Sequence, residues 1–332
     1  MEADLVTRQN VPFRAIPAAG LHGVGLRSLP GNMLKLAQGT LASARILREF
    51  RPDVLLFTGG YVAAPVALTG WQIPSVLYVP DIEPGLALKN LARFADTIAL
   101  TAPDSRQFFW PHKHLVVTGY PTRSEIKKLD RKTARKQMAL NDDLPVLLIV
   151  GGSKGARLIN QAVLALLPQL LKEIQVVHLT GELDWPEIQK SISALPSELA
   201  ARYHAHPYLH EEMAAAFSSA DIVLSRAGAS TLGELPFYGL PAILVPYPFA
   251  WRYQKVNADY LVKKGAAVVI ENSQLESQLI PTIHGLLKNE QNLQSMQTAM
   301  ASLSAPDAAD KIAELVIELA SRKASERKSS HD

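Results

Sequence analysis

Ser230, Thr231 and Glu234 fall close together in the stretch SRAGASTLGE (225–234), directly after the apolar run DIVL. If DIVLS is a strand and ASTLGELPFYG a helix ending at Gly239, the turn RAG carries a helix start to the carboxyl end of a strand. Free N–H groups and the helix dipole at such a point favour a diphosphate. A carboxylate one turn in can accept both vicinal hydroxyls of a ribose. The same residues also spell T-x-x-E, a capping box, in which Glu234 would bond the backbone at its own helix start and nothing else. Spacing leaves both readings open.

Two further glycine turns have the same form. VLLIVGGSKGARLIN (146–160) reads as strand, turn and helix: Gly151 and Gly152 for a sharp turn, Ser153 for a hydroxyl, Gly155 for close packing. It is neither G-x-G-x-x-G nor a Walker loop. DVLLFTGGYVAAPVAL (53–68) sets Gly59, Gly60 and Tyr61 at another strand's end, where an ordinary βα turn explains it equally well. In AILVPYPFAWRYQKVNADYL (242–261), Arg252, Gln254 and Asn257 stand at a helix start. The Gln254 and Asn257 amides suit sugar hydroxyls because they both donate and accept; a solvated helix face is the plainer alternative. His204, His206 and His210 lie beside Glu211 and Glu212 without a zinc-like spacing, so local bonding is expected there rather than a metal.

The elements that must position these groups are legible in outline. Short apolar runs, VLLFT, SVLYV, TIALT, LVVTG, VLLIV, IQVVHLT, DIVLS, AILVP and AAVVI, alternate with helical stretches. That alternation predicts βαβ units with parallel sheets. A polar, basic segment at 118–137 divides the strands into two sets, giving two doubly wound α/β domains. We expect an N-terminal domain over 1–121, a C-terminal domain over 122–305, and a helix with a frayed, Ser-rich tail over 306–332. Ligands in such sheets lie past the carboxyl ends of the strands. The chain has 332 residues, 48% hydrophobic and 20% charged, no cysteine, and a net charge of +3. Disulfides and thiolate chemistry are thereby excluded, and a nucleic-acid surface is not indicated. Val54–Pro80 lacks charged side chains, but its glycines and prolines break it into buried strands and a helix near Val62–Gly70, not a membrane span. No secretory signal is visible in MEADLVTRQN.

GGSKGAR, SRAGASTLGE, GLPAILVPYPFAWRYQKVNA, TGGYV and TGYPTR together resemble the MurG family. These are the UDP-N-acetylglucosamine–N-acetylmuramyl-(pentapeptide) pyrophosphoryl-undecaprenol N-acetylglucosaminyltransferases. The resemblance runs to about residue 300 and implies the GT-B fold, two Rossmann-like domains facing across a cleft. It implies a UDP-N-acetylglucosamine donor held by the second domain: Glu234 on the ribose; Ala229, Ser230 and Thr231 toward the diphosphate; Gly152 and Ser153 near the diphosphate and uridine. Arg123 would lie on the uracil side, Gln254 on the donor sugar, with Asn257 supporting that loop and Gly60 and Tyr61 also among the substrate-binding residues. The implied acceptor is an undecaprenyl-linked lipid, at the cytoplasmic face of the cell membrane. No D-x-D triplet occurs, so no bound metal or other cofactor is expected.

Two departures qualify the expectation. The family's opening strand and G-G-T-G-G-H loop, with its histidine, are not found; Met1–Val6 resembles a point well inside the first domain. The family's H-E-Q-N stretch is replaced by Tyr78, Val79, Pro80 and Asp81. Asp81 is then the candidate catalytic base, if it reaches the attacking hydroxyl; otherwise it is an Asp in a Pro-bounded turn. Another GT-B lipid glycosyltransferase, or an inactive sugar-nucleotide binder, is the alternative. The segment 20–51 mixes Leu21, Leu26, Leu29, Met33 and Leu36 with Arg27, Lys35, Arg45 and Arg48. It suits either an anionic membrane surface or, after Leu34, a helix on the domain core.

Overall fold

The computed structural model describes the chain apart from residues 1–2, 4–5, 8–9, 20–28, 124–125, 153–154, 249–251 and 330–332. Two compact units emerge. One comprises 1–80, 84–117 and 310–332; the other comprises 81–83 and 118–309.

In the first unit, helix α1 (Leu29–Phe50) precedes β1 (Leu55–Phe57), α2 (Ala63–Thr69), β2 (Ser75–Val79), α3 (Leu86–Leu91), β3 (Thr97–Leu100) and β4 (His114–Val117). The four strands pair in the order β1-β2-β3-β4, all parallel. SVLYV and TIAL are buried at every position, which is why they read as unbroken apolar runs. Helix α1 lies on the unit through its small residues: a Cβ on Gly39 would stand 2.1 Å from the Pro17 carbonyl oxygen and 3.4 Å from Pro65.

The second unit holds α4 (Arg131–Gln137), β5 (Val146–Val150), α5 (Arg157–Leu170), β6 (Gln175–Leu179), α6 (Trp185–Ser193), α7 (Ser197–Ala200) and β7 (Tyr203–His206). There follow α8 (Met213–Ser219), β8 (Ile222–Ser225), α9 (Thr231–Tyr238), β9 (Ala242–Leu244), α10 (Tyr253–Lys263), β10 (Ala267–Val269), α11 (Leu275–Leu287) and α12 (Glu290–Ala301). The parallel sheet has the order β10-β9-β8-β5-β6-β7. Counted from β5, this is the doubly wound order 3-2-1-4-5-6, whose direction reverses between β5 and β8. The last helix, α13, spans Ala308–Ser329.

One strand is missing from the expected set and one expectation is corrected. Tyr203–His206 is a strand, β7, although YHAH is too polar and too near the sheet edge to carry an apolar signal. The Ser-rich tail is helical to Ser329, because its Ala, Glu, Lys and Arg residues are good helix formers and Arg322 pairs with Glu318 one turn back. Among the described residues no helix is long and apolar enough to cross a membrane.

Candidate functional site

The reversal point of the second sheet sets the turn after β5 beside the turn after β8. Such a point leaves a crevice past the strand ends. Gly152 and Gly155 adopt left-handed backbone, with φ of +89° and +76°. Gly155 is required for a second reason: a Cβ there would come within 2.2 Å of the Thr180 carbonyl oxygen. Ser153 lies outside the described residues.

Behind this turn runs a chain of hydrogen bonds, exposed at Arg157 and buried from Asp184 inward. Arg157 Nε donates to Asp184 Oδ1 at 3.0 Å. Asn160 Nδ2 donates to Asp184 Oδ2 and to the Thr180 carbonyl, both at 2.8 Å. Those two partners only accept, so the amide's NH2 faces them and its oxygen faces His178. His178 therefore carries its proton on Nε2, 2.9 Å from Asn160 Oδ1, and its Nδ1 accepts from the Tyr203 hydroxyl at 2.8 Å. Complete burial drives the His178 pKa down to about 3, so the ring is neutral.

The β8 turn resolves the capping question. Ser230 takes the cap position of α9 with helical backbone, and no side-chain oxygen caps the helix start. The Thr231 hydroxyl instead donates to the Gly228 carbonyl at 2.5 Å. Glu234 bonds the Ser230 side chain rather than the backbone of its own first turn. The capping box is thus not formed, because Thr231 is already inside the helix. Ala229, Ser230 and Thr231 form the approach to a positive helix end without a side-chain cap, where the Thr231 and Leu232 N–H groups bond the Gly228 and Ala229 carbonyls and Glu234 is half-buried one turn in. Burial raises the Glu234 pKa, and Arg123 and the Ser230 hydrogen bond offset part of that rise.

Gly233 sits in the interior of α9, where glycine is unfavourable by about 1 kcal/mol relative to alanine. Tyr120 explains it: a Cβ on Gly233 would lie 2.5 Å from the Tyr120 Cδ1. The ring therefore rests on the helix next to Glu234. Burial raises the Tyr120 pKa, with Glu234 and Asp81 adding to the rise and Arg123 opposing it. Tyr120 is a site neighbour that residue type and spacing did not single out, although it lies within TGYPTR.

Asn257 is fully buried and holds Asp81. Its Nδ2 donates to Asp81 Oδ1 at 2.8 Å and to the Ala227 carbonyl at 3.2 Å, while its Oδ1 accepts from the Ile82 N–H at 3.0 Å. Burial raises the Asp81 pKa, and the Asn257 hydrogen bond partly opposes it. Arg252 closes on Glu83, with Nη2 to Oε1 and Nε to Oε2 both at 2.6 Å. Gln254 turns its Oε1 to the Tyr247 N–H at 2.8 Å. The second unit thus brings together Arg123, Ala229, Ser230, Thr231, Glu234, Asn257 and Asp81. Gly60 and Tyr61 belong to the first unit, after β1; Gly60 is left-handed and Tyr61 is exposed.

The glycosyltransferase family 28 C-terminal domain model matches residues 146–312, and the family 28 N-terminal domain model matches residues 1–100. A UDP-N-acetylglucosamine--N-acetylmuramyl-(pentapeptide) pyrophosphoryl-undecaprenol N-acetylglucosamine transferase of Roseiflexus sp. (strain RS-1) is 40% identical, over 97% of this chain and 82% of the relative. The chain belongs to the MurG family. A relative of the same description from Desulforudis audaxviator (strain MP104C) is 36% identical, over 97% of this chain and 88% of its own length. Among solved structures, Acinetobacter baumannii MurG superposes with a TM-score of 0.74 at 26% identity, covering 96% of this chain and 88% of that one. A UDP-GlcNAc 2-epimerase from Neisseria meningitidis bound to UDP-GlcNAc gives 0.67 at 15% identity over 96% and 88%, a likeness of fold alone. The fold of this MurG-family chain is GT-B, with a parallel α/β sheet in each unit.

Proposed function

We propose that this chain transfers N-acetylglucosamine from UDP-N-acetylglucosamine to the 4-hydroxyl of the muramyl residue of an undecaprenyl-diphosphate-linked MurNAc-pentapeptide. One observation carries the donor half: the start of α9, free of any side-chain cap, lies at the sheet's reversal point with Glu234 one turn inside it. The N–H groups near Ala229 and Ser230 meet the diphosphate, Glu234 takes the ribose hydroxyls, and Arg123 stands toward the uracil. Gly152 and Ser153 complete the nucleotide side, and Gln254 reads the sugar. The acceptor hydroxyl attacks the anomeric carbon, UDP departs, and the configuration inverts from α to β. Charge grows on the leaving diphosphate, and the fixed N–H dipoles of α9 stabilise it without a metal.

Asp81 is the proposed base. Its Oδ1 is tied to Asn257, and the raised pKa makes the carboxylate a better proton acceptor than an ordinary Asp. Gly60 and Tyr61 are assigned to substrate contact on the family's pattern. For the membrane, Met33, Leu34 and Leu41 are exposed along α1 among Lys35, Arg45 and Arg48, which suits an anionic lipid surface. Leu21, Leu26 and Arg27 of the same segment lie outside the described residues.

Calorimetry tests the donor half. UDP-N-acetylglucosamine should bind better than UDP-glucose, with or without EDTA, and Glu234→Ala should cost roughly 1.5–3 kcal/mol. Binding that ignores Glu234 ends this assignment. On the acceptor side, Asp81→Asn should lower kcat by about 100-fold or more with donor KM nearly unchanged; an active variant moves the base elsewhere.

A further inference from the structure

Arg226, Tyr247 and Asn272 form a grip around the loop that follows β9. They come from the carboxyl ends of three adjacent parallel strands, β8, β9 and β10, so the sheet itself assembles them. The grip takes three consecutive residues one by one. Arg226 Nη1 donates to the Val245 carbonyl at 2.9 Å. Asn272 Nδ2 donates to the Pro246 carbonyl at 3.0 Å. The Arg226 guanidinium lies over the Tyr247 ring, 5.4 Å from its centroid. Arg226 and Asn272 are tied to each other as well, Nη1 to Oδ1 at 2.8 Å.

The consequence falls on Gln254. The Tyr247 N–H meets Gln254 Oε1 at 2.8 Å. A backbone N–H only donates, so the amide oxygen must face it and the NH2 must face away. A free glutamine side chain offers a ligand either a donor or an acceptor; this one offers its donor. The chemistry fixed on that surface is recognition of an oxygen lone pair.

We propose that Arg226 and Asn272 are positioning residues for donor-sugar recognition, which hold Tyr247 so that the Gln254 amide presents only its N–H groups to a sugar oxygen. This rests on the assignment of Gln254 to the donor sugar. Arg226 is suited to the task because one planar guanidinium can stack and donate at once, which a lysine ammonium cannot.

The test is calorimetry on the full chain with two probes, UDP and UDP-N-acetylglucosamine. The quantity read is the ratio of their dissociation constants, which isolates the sugar. Gln254→Ala sets the value of the ratio without sugar recognition. Asn272→Ala and Arg226→Lys should each move the ratio most of the way to that value, a several-fold change, with UDP affinity kept within about twofold. In the double variant Gln254→Ala/Asn272→Ala, the second substitution should add nothing to the ratio. Parallel loss of both affinities, an unchanged ratio, or additive effects in the double variant would overturn the proposal. Should Arg226→Lys not fold, Asn272→Ala, which removes a half-buried amide, decides alone. If the wild-type chain binds UDP but its ratio is unaffected by Gln254→Ala, Gln254 does not read the sugar and the proposal falls while the nucleotide site stands. A wild-type chain that binds neither probe ends the donor reading itself.

Discussion

Behind Gly59-Gly60-Tyr61, in the first unit, the neighbour is a leucine side chain: a Cβ on Gly59 would lie 3.2 Å from Leu88. Behind Gly151 and Gly155, in the second unit, the neighbours are the Thr180 carbonyl and the series that starts at the exposed Arg157 and runs inward through Asp184, Asn160 and His178 to Tyr203. Both turns follow a strand, both place glycines at positive φ, and both lead into a helix. The second is fixed by directional bonds with donors and acceptors assigned, whereas the first is backed by apolar contact, which tolerates sliding. Directional hydrogen bonds fix the placement of a backbone more closely than an apolar wall does.

The largest effect that separates the turns is steric. Gly155→Ala drives a methyl onto the Thr180 carbonyl and forces a left-handed alanine, so it should cost on the order of 3 kcal/mol or more in chemical unfolding. Gly60→Ala meets nothing within 4 Å and should cost only about 1–2 kcal/mol of backbone strain. Equal losses would mean that the two turns are supported alike.

A second difference is pH dependence. His178 is neutral in the folded chain and has a pKa near 3, against 6.5 when exposed. The unfolded chain binds the extra proton first, so this contribution is fully present above pH 6.5 and is lost as pH falls from there toward 3. The slope approaches about 1.4 kcal/mol per pH unit. Unfolding measured across that window should show it in the wild type and lose it in His178→Gln; an unchanged slope would place the proton elsewhere.

The smallest effect sharpens where the relay ends. Arg157 is 68% exposed although its partner Asp184 is 7% exposed. Arg157→Ala should therefore cost no more than about 1 kcal/mol, because solvent screens the pair and Asn160 still bonds the carboxylate. A loss of several kcal/mol would make Arg157 an integral part of the buried series.

Much of this was legible in the residues. SVLYV, VLLIV and DIVLS declared themselves as strands because both faces of a parallel sheet are covered, so the apolar signal is continuous. Glycine turns and the αL residue Gly239 declared themselves because few other residues accept that backbone. Polar edge strand β7 did not, and neither did Tyr120, since nothing local in TGYPTR marks a tyrosine destined to lie on Gly233. The T-x-x-E pattern at Thr231 and Glu234 was legible but ambiguous, and a one-residue shift in the helix start changed its meaning.

What the sequence alone determined, then, was local: where strands stop, where glycine must bend the chain, and which family the motifs resemble. The order of the strands was decided only in three dimensions. That order sets the β5 and β8 turns side by side, gathers Arg226, Tyr247 and Asn272 from three strand ends, and lets Asn257 reach Asp81 across 176 positions of sequence. The physical reason is that periodicity and propensity act over a few residues, whereas strand order and the orientation of a buried amide follow from which distant donors and acceptors the packed sheet brings within 3 Å or so of one another.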